Sequence, residues 1–248
     1  MKEIFLSVII PAYNESSVIE NTLRQITSHF ESKTYAYEII VVNDASTDDT
    51  EQKVLGFCKH NEKVRLLSNK INVKKGASVK KGVLSARGKY VSFIDADYVY
   101  PIHQIDNFLN KLENGADIVI GNRMDPLTTF TVKPEMFHYV YRRFLVGRLF
   151  NFLVRLFIID DINDTQCGIK CFRKDVAIPI FSKMNVSNFA FDIEFLHIAQ
   201  KNRERIAQMP VLFNYVDEPS SVKLFKDSLR MMNSLMQIRI NSWLGKYR

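Results

Sequence analysis

Short apolar runs alternate with segments of helical spacing along the first hundred residues. The runs at 4–10, 38–42, 64–67 and 90–94 have the length and composition of buried strands. Apolar residues three and four positions apart predict helices over 15–30 and 76–86, and the polar stretch 46–50 is typical of the start of another helix. Strands that alternate with helices form a parallel, doubly wound sheet. The pattern therefore predicts an α/β fold.

The fourth apolar run ends in two carboxylates, Asp95 and Asp97, one residue apart. Because side chains alternate along a strand, both point to the same side, at the carboxyl end where ligands bind in open α/β sheets. Two unpartnered carboxylates repel each other unless a cation lies beside them. We interpret the pair as ligands of a divalent metal that holds a diphosphate. The alternative is an ordinary strand-end turn, in which Asp is common.

Polar residues follow the other strands as well. Residues 11–15, and Asn43 with Asp44, lie where a ribose and a base would bind, although helix capping is the alternative explanation for each stretch. Lys75 begins a helix, where a lysine and free backbone amides suit a phosphate, unless this is only a solvated basic turn. The chain has neither a Walker loop nor a G-x-G-x-x-G motif, which argues against P-loop and dinucleotide-binding proteins.

Composition and charge are those of a globular protein with an anionic partner. The 248 residues are 46% hydrophobic and 25% charged, as in a globular domain, and the formal net charge of +7 favours an anionic partner. The three cysteines are odd in number and lack metal-binding spacing, which fits a reducing compartment, and we interpret Cys167 as a packing residue. Neither a signal peptide nor an apolar run of about 18 residues is apparent, so we expect a cytoplasmic protein.

The second half of the chain combines apolar residues with positive charge. Residues 117–123 predict a strand that ends in a cation, and 137–159 is apolar and arginine-rich, which favours a helix at a membrane interface over a core helix with extended arginines. Residues 220–248 predict an amphipathic helix that lies on an anionic membrane surface, or that packs against the domain or a dimer partner. Because the charge follows apolar helices rather than exposed aromatics, we expect no nucleic-acid partner.

The motifs together resemble family 2 glycosyltransferases, which have the GT-A, or nucleotide-diphospho-sugar transferase, fold. The matching stretches are 7–15, 41–48, 75–77, 86–88 and 95–97. The stretches 121–123, 164–170 and 191–194 resemble the branch that glycosylates polyprenyl phosphates, and Asp-Thr-Gln-Cys-Gly at 164–168 is most similar to the dolichyl-phosphate β-glucosyltransferases. The resemblance covers nearly the whole chain. It implies inverting transfer of a hexose from a nucleotide sugar to a polyprenyl phosphate.

The resemblance also implies a role for each matching residue. Asp95 and Asp97 would bind Mg²⁺ or Mn²⁺, with Asp97 as the principal ligand, and the catalytic carboxylates would be Asp97, Asp164 and Asp192. The residues that would bind the nucleotide sugar, a UDP- or GDP-hexose, are Pro11, Ala12, Tyr13, Glu15, Asp44, Lys75, Asp95, Ala96 and Lys223. Those that would bind the acceptor phosphate are Arg123, Arg142 and Arg143.

Two departures from the family pattern bear on this assignment. Mannosyl enzymes of this branch usually have Gln where this chain has Val99, so glucose is favoured over mannose, and Asn43 stands where an aspartate is usual. A phosphate acceptor is already anionic and needs no strong base, whereas a sugar hydroxyl would need a carboxylate such as Asp164 or Asp192. These two residues are alternatively part of an acidic turn and a helix cap.

We expect a catalytic domain over 1–219, with a nucleotide-binding half (1–97) and an acceptor half (98–219), followed by the helix over 220–248. The amphipathic helix and the lipid acceptor together predict that the protein binds peripherally to the cytosolic face of a membrane. It would do so as a homodimer or with a membrane subunit. Two other functions remain as alternatives. One is a family 2 transferase that acts on a glycan hydroxyl in cell-surface polysaccharide synthesis, and the other is a non-catalytic nucleotide-sugar-binding scaffold.

Overall fold

The computed structural model describes residues 3–214 and 224–247, and for positions 139, 142–144, 149, 153 and 224–230 it describes the backbone alone. Nine strands form two sheets: β1 (Ile4–Ala12), β2 (Ala36–Asn43), β3 (Val64–Ser68), β4 (Tyr90–Ile94), β5 (Ile118–Asn122), β6 (Thr129–Thr131), β7 (Ile169–Arg173), β8 (Ile206–Pro210) and β9 (Leu212–Asn214). The large sheet has the order β3-β2-β1-β4-β7-β5-β8, and β6 pairs with β9.

The helices pack on both faces of the large sheet. They are α1 (Ile19–Glu31), α2 (Thr50–Cys58), α3 (Lys75–Leu84), α4 (Gln104–Glu113), α5 (Phe137–Phe157), α6 (Lys174–Lys183), α7 (Phe191–Lys201) and α8 (Leu224–Trp243), and a 3-10 turn at Pro134–Met136 precedes α5. Successive residues of each central strand enter different cores. Ile9 belongs to the core under α3, α6 and α7, whereas Val8 and Ile10 belong to the core under α1 and α4. This is a doubly wound α/β architecture.

Strand β7 runs against the direction of its neighbours. It pairs antiparallel with β4 on one side and with β5 on the other, whereas the other pairings of the large sheet are parallel. In the β4–β7 register, Ile94 faces Ile169. The start of β7 therefore lies at the same sheet edge as the carboxyl end of β4.

The predicted mostly parallel α/β sheet is confirmed, and the predicted strands are present with small shifts in their bounds. The first strand continues through Pro11 to Ala12 rather than ending at residue 10. The carbonyl of Ala12 accepts a hydrogen bond from the Asp44 amide on the β2 side, so the nitrogen of Pro11 faces β4, where pairing has ended at Ile9. Its missing N–H therefore costs no ladder hydrogen bond.

The first helix begins later than its apolar spacing predicts. Residues 15–30 were expected to be helical, but α1 starts at Ile19. Asn14 has a left-handed backbone with φ of 57°, and the chain makes a turn through residues 15–18 before the helix begins. The delay leaves the polar residues after β1 in an irregular loop at the sheet edge.

Helices α5 and α8 both expose apolar side chains. On α5, Phe152 and Leu156 are 61% and 62% exposed, whereas Asn151 and Val154 are buried. On α8, Leu235 and Ile238 join the core under α7, while a second stripe is exposed, made of Met236, Ile240, Trp243 and the following Leu244. Among the described residues, no helix combines the length and the apolar character that crossing a bilayer requires.

We predict opposite effects of alanine at two helical glycines. A methyl group at Gly82 of α3 would meet Ile9 Cγ2 inside van der Waals distance and lie 3.1 Å from Val42 Cγ2, so Gly82→Ala should lower the free energy of unfolding by about 1–3 kcal/mol. Gly56 of α2 has no such neighbour within 4 Å, so Gly56→Ala should raise it by about 0.5–1 kcal/mol. Urea unfolding measures both. Unchanged or increased stability in Gly82→Ala would contradict the close packing of α3 on β1.

Candidate active site

Four loops follow the parallel strands β1 to β4 at one edge of the sheet. Each contains one non-glycine residue with a left-handed backbone, and the φ angles lie between 55° and 76°: Asn14, Ala45, Lys74 and Tyr98. Such conformations are costly for residues with a Cβ atom, and they persist only where the surroundings fix them. The chain therefore turns sharply at each strand end, and this edge is the strongest candidate for a site.

The loops after β1 and β2 are held together by hydrogen bonds. The backbone N–H of Asn14 donates to Ser46 Oγ at 3.0 Å, and the N–H of Thr47 donates to Asn14 Oδ1 at 2.8 Å. The N–H of Glu15 donates to Thr50 Oγ1 at 2.8 Å. These contacts fix the loop while Tyr13 remains 46% exposed at its tip. An exposed aromatic ring on a fixed loop can stack on a flat ligand.

Asp44 organises the loop between β3 and α3. Its Oδ1 accepts hydrogen bonds from Asn69 Nδ2 and the Val73 amide, both at 2.9 Å, and its Oδ2 accepts one from the Lys74 amide at 2.8 Å. The residue is 3% exposed. Because these donors lie just before α3, the carboxylate of Asp44 determines where Lys75 begins the helix.

Lys75 reaches from the start of α3 to the carboxylate pair. Its Nζ lies 2.5 Å from Asp95 Oδ1. Burial opposes the charge of this lysine, but Asp95 and Asp192 outweigh it, so the pKa of Lys75 is raised. On the other side, a Cβ atom at Gly168 would collide with Asp95 Oδ2, so a larger residue there would displace this carboxylate. Asp95 is therefore held between α3 and the loop before β7.

Asp97 lies beside Asp95, but its negative charge is less well balanced by nearby positive charge. The residue is exposed at the rim, yet desolvation by the surrounding protein and the nearby charge of Asp95 raise the pKa of its carboxyl to about 6. Between them, the carbonyl of Ala96 accepts a 2.6 Å hydrogen bond from Thr22 Oγ1 of α1. The backbone that carries both carboxylates is thus anchored, and the excess negative charge suits a cation.

A buried ion pair supports the site from below. Lys170 of β7 is fully buried, and its Nζ donates to Asp192 Oδ1 and to the Cys167 carbonyl, both at 2.7 Å. Burial raises the pKa of Asp192, while Lys170 and then Lys75 oppose that shift. Lys170 therefore ties the start of α7 to the loop before β7.

Arg123 and Asp164 form a second, two-pronged ion pair. Arg123 Nε and Nη2 donate to the two carboxylate oxygens of Asp164 at 2.6 and 2.9 Å, and the Arg123 amide donates to Oδ2 at 3.0 Å. Asp164 has no exposed surface. Burial alone would raise the pKa of Asp164, but Arg123 outweighs it, so the pKa is lowered and the group stays ionised. Both oxygens are engaged, which is a poor arrangement for a general base.

A cleft of about 460 Å³ opens beside this pair, between the end of β5 and helix α5. The side chains that carry its charge are Arg123, Arg148 and Arg155. The cleft is connected to the loop over 164–168, because Thr165 Oγ1 donates to Asn151 Oδ1 of α5 at 3.2 Å. The edge of the sheet thus has an acidic part at β4 and a basic part at α5.

Comparison with known proteins shows the family of this chain. The model of the family described as Glycosyl transferase family 2 matches residues 7–181. The chain belongs to family 2 of the glycosyltransferases. Dolichyl-phosphate β-glucosyltransferases are similar to this transferase over almost its whole length: that of Dictyostelium discoideum is 32% identical over 99% of this chain and 77% of its own, and that of Saccharomyces cerevisiae is 34% identical over 100% and 78%.

Solved structures show the same fold. Glucosyl-3-phosphoglycerate synthase from Mycobacterium tuberculosis, in complex with phosphoglyceric acid, superposes on the transferase with a TM-score of 0.70 and 18% identity, over 95% of this chain and 80% of that one. The same enzyme with Mn²⁺, UDP-glucose and phosphoglyceric acid gives a TM-score of 0.69 over the same shares. These likenesses identify the GT-A fold that the motifs predict.

The structure brings most of the predicted site residues of the transferase to one sheet edge. These are Pro11, Ala12, Tyr13, Glu15, Asp44, Lys75, Asp95, Ala96, Asp97, Arg123, Asp164 and Asp192. Lys223 lies outside the described residues, and for Arg142 and Arg143 only the backbone of α5 is described. The roles of all these residues remain predictions.

Three residues of the site were not singled out from the sequence. Lys170 lies in a quoted motif, but its partner is 22 positions away and becomes evident only in the fold. In the sequence, Arg148 and Arg155 are visible only as two of the charges of the apolar, arginine-rich segment 137–159. Their spacing of seven, with Asn151 and Phe152 between them, places all four on one helical face, which is a signal that the sequence does contain.

We predict that the buried pair matters far more to stability than an exposed pair of the same length. Lys170→Met leaves Asp192 buried without its counter-ion and should lower the free energy of unfolding by about 3–5 kcal/mol at pH 8. Removal of the lysine raises the pKa of Asp192 further. At pH 5 the carboxyl can take up a proton and is then no longer a buried charge, so the decrease in the free energy of unfolding should be smaller than at pH 8.

The matched control for this prediction is Lys33→Met. Lys33 Nζ also lies 2.7 Å from an aspartate, Asp106, but both side chains are partly exposed, so the loss should stay below about 1 kcal/mol. Urea unfolding of both variants at the two pH values is the measurement. Equal losses would contradict the buried-pair account.

Proposed function

We propose that this transferase moves glucose from UDP-glucose to a polyprenyl phosphate, with inversion at the anomeric carbon. The observation that carries the proposal is the carboxylate pair Asp95 and Asp97 beside Lys75, at the edge where Asp44 and Tyr13 also lie. The names of the relatives that match almost the whole of this chain support the acceptor and the sugar, and the ligands of the solved synthase support the donor.

The donor would bind over the ends of β1, β2 and β4. In this proposal Pro11, Ala12, Tyr13, Glu15 and Asp44 surround the uridine, and Tyr13 stacks on the base. Lys75 neutralises part of the diphosphate charge from the start of α3, where backbone amides also favour an anion. The hydrogen bonds that fix these loops keep the donor site in shape before the substrate arrives.

Asp95 and Asp97 would hold Mg²⁺ or Mn²⁺, which prefer oxygen ligands. The described part of the chain contains no group of three or more histidine, cysteine or acidic side chains suited to a metal, so the diphosphate oxygens would complete the coordination. Such a metal, when bound, offsets the charge that develops on the departing UDP. The anchored Ala96 carbonyl keeps the two carboxylates at a fixed spacing.

In the reaction, an oxygen of the acceptor phosphate attacks the anomeric carbon while the bond from that carbon to the UDP oxygen breaks. The phosphate is already anionic, so no residue has to remove a proton. Asp164 is fully paired with Arg123, and Asp192 is paired with Lys170. Since both candidate bases are engaged with cations, we assign them positioning roles. This favours a phosphate acceptor over a glycan hydroxyl, which would need a free base.

The acceptor lipid implies a membrane, and two helices offer the contact surface. The exposed apolar side chains of α5 lie among Arg148 and Arg155, and on α8 the guanidinium of Arg239 lies 5.4 Å from the ring centroid of Trp243. Apolar side chains with interspersed cations are typical of helices that lie in the headgroup region of an anionic leaflet. We therefore propose peripheral binding to the cytosolic face of a membrane.

We predict that Asp97→Asn abolishes transfer. Incubation with radiolabelled UDP-glucose and polyprenyl phosphate, with and without Mn²⁺, should give an organic-extractable, acid-labile product with the native chain. The variant should lose at least about a hundredfold in rate, because a neutral amide holds the metal weakly. Mn²⁺ binding followed by electron paramagnetic resonance should weaken in parallel.

Asp49→Asn is the matched control, because Asp49 is exposed at the start of α2 with no side-chain cap bond. This variant should keep native turnover. A product formed only with a glycan acceptor would identify the polysaccharide enzyme instead, and donor binding without turnover would identify a non-catalytic scaffold. Full activity in Asp97→Asn would refute the metal site.

We predict that the exposed stripe of α8 contributes to membrane binding. Serine at both Ile240 and Trp243, which are 48% and 75% exposed, should lower co-sedimentation with phosphatidylglycerol vesicles about tenfold, since each side chain loses apolar burial in the bilayer. Serine at both Leu55 and Ile71, exposed elsewhere at 48% and 71%, is the control and should leave binding unchanged. Equal loss in both pairs would show nonspecific adhesion.

A further inference from the structure

The turn after α8 buries an aromatic side chain against the rest of the domain. Helix α8 ends at Trp243, and Gly245 then adopts a left-handed backbone with φ of 73°, which reverses the chain. Tyr247 follows this turn and has no exposed surface. Its ring joins the core under α3, α6 and α7, with its centroid 6.0 Å from that of the His197 ring. A tyrosine that is buried in this way requires a partner for its hydroxyl.

The partner of that hydroxyl is the carboxylate of Glu194, which is itself fully buried on α7. The hydroxyl of Tyr247 donates to Glu194 Oε1 at 2.7 Å. The carboxylate also accepts the amide of Val186 at 2.7 Å and that of Asn185, whose nitrogen lies 3.1 and 2.9 Å from the two oxygens. Glu194 thus joins the turn after α8 to the loop 184–190, which connects α6 with α7.

Helix α8 makes a second contact with loop 184–190 through Ser234, which is also buried. Asn188 Nδ2 donates to Ser234 Oγ at 2.9 Å. Ser234 lies four positions before Ile238, so both residues are on the face of α8 that packs in the core. The loop is therefore held by α8 both directly and through the carboxylate of Glu194.

The same loop holds the start of α3. The Gly76 amide donates to the Ser187 carbonyl at 2.7 Å. A Cβ atom at Gly76 would lie 2.5 Å from Phe191 Cβ and 2.8 Å from the Ser187 oxygen, so α3 begins in direct contact with the loop and with α7. The residue before this glycine is Lys75, whose ammonium group lies beside Asp95.

The start of α3 is thus fixed from two sides. Asp44 accepts the amide just before Lys75, and the Ser187 carbonyl accepts the amide just after it. A charged side chain binds a ligand in a defined geometry only when its own backbone is held in place. One of the two anchors of Lys75 extends from Ser187 through Glu194 to Tyr247, and it therefore ends beyond α8.

We propose that Tyr247 is a positioning residue for the donor site. Through Glu194 and loop 184–190, its hydroxyl fixes the start of α3 and thereby the ammonium group of Lys75, which would bind the diphosphate. The inference rests on the proposed nucleoside diphosphate donor and adds a residue that acts on its binding from outside the site. The exposed apolar stripe of α8 takes no part in this contact.

The first test separates the diphosphate from the rest of the donor. Tyr247→Phe keeps the buried ring and removes only the hydroxyl. By calorimetry with Mn²⁺, the dissociation constant of UDP should rise about fivefold and that of uridine, which lacks the diphosphate, should stay within about twofold. KM for UDP-glucose should rise with the UDP constant, whereas KM for polyprenyl phosphate should not change. Equal losses for UDP and uridine would mean general loosening and would overturn the inference.

The matched control for this test is Ile238→Val. Ile238 is fully buried on the same helix, so this variant should lower the urea midpoint by about as much as Tyr247→Phe does. It leaves the Tyr247 hydroxyl on Glu194, so UDP should bind with native affinity. A similar rise of the UDP dissociation constant in both variants would contradict a specific role of the hydroxyl.

A double-mutant cycle tests whether the effect passes through Lys75. Lys75→Gln alone should raise the dissociation constant of UDP about tenfold, because it removes a positive charge from the diphosphate site. In that background, Tyr247→Phe should change the constant by less than about twofold, since the group that it positions is already absent. A further rise of about fivefold would show that Tyr247 acts by another route, and the proposal would then be wrong.

Hydrogen exchange gives a readout that requires no donor. The Gly76 amide is protected by the Ser187 carbonyl, and Tyr247→Phe should speed its exchange about tenfold through local opening, whereas Ile238→Val should not. If the native chain binds no UDP, the proposed donor fails, and this comparison still decides whether Tyr247 fixes the start of α3. If the native chain transfers glucose while Tyr247→Phe keeps native UDP affinity and native exchange, only the positioning role fails.

Discussion

Two like charges have to stay close together at the end of β4, and much of the architecture serves that requirement. Asp95 is compensated by Lys75, which reaches it because Asp44 fixes the start of α3. Asp97 is less compensated, which is why the pKa of its carboxyl is raised. The carbonyl of Ala96 accepts a hydrogen bond from Thr22 of α1, which anchors the backbone between the two carboxylates. The end of β4 therefore carries excess negative charge at a fixed position, which favours the binding of a cation there.

The reversed direction of β7 brings the acceptor half to that place. Ile94 faces Ile169 in an antiparallel pair. Asp95, which follows Ile94, is therefore a neighbour of Gly168, which precedes Ile169. If β7 were parallel to β4, its carboxyl end rather than its amino end would lie at this edge. The loop over 164–168 therefore arrives beside the carboxylates together with Asp164, which binds Arg123 at the end of β5.

The sequence predicted the first half of the fold and the carboxylate pair, because short apolar strands and their polar ends are local features. The insertion of β7 between β4 and β5 depends on pairings between residues far apart in the chain, such as Ile94 with Ile169 and Ile118 with Phe172, which no local pattern encodes. For the same reason the role of Lys170 could not be predicted, because its partner Asp192 is brought to it only by the packing of α7. Arg148 and Arg155 were visible as a helical spacing, but only the fold determines which face of α5 turns toward Arg123.

The position of β7 also limits how such a chain can be divided. The nucleotide-binding half expected over 1–97 contains β4, whose second edge pairs with β7 from the other half. Produced alone, that fragment would leave an apolar strand edge open to pairing with other copies, which is a route to aggregation. Chimaeras that exchange donor and acceptor halves between relatives would cut through this pairing, so new substrate preferences are more accessible by exchanging loops than by exchanging halves.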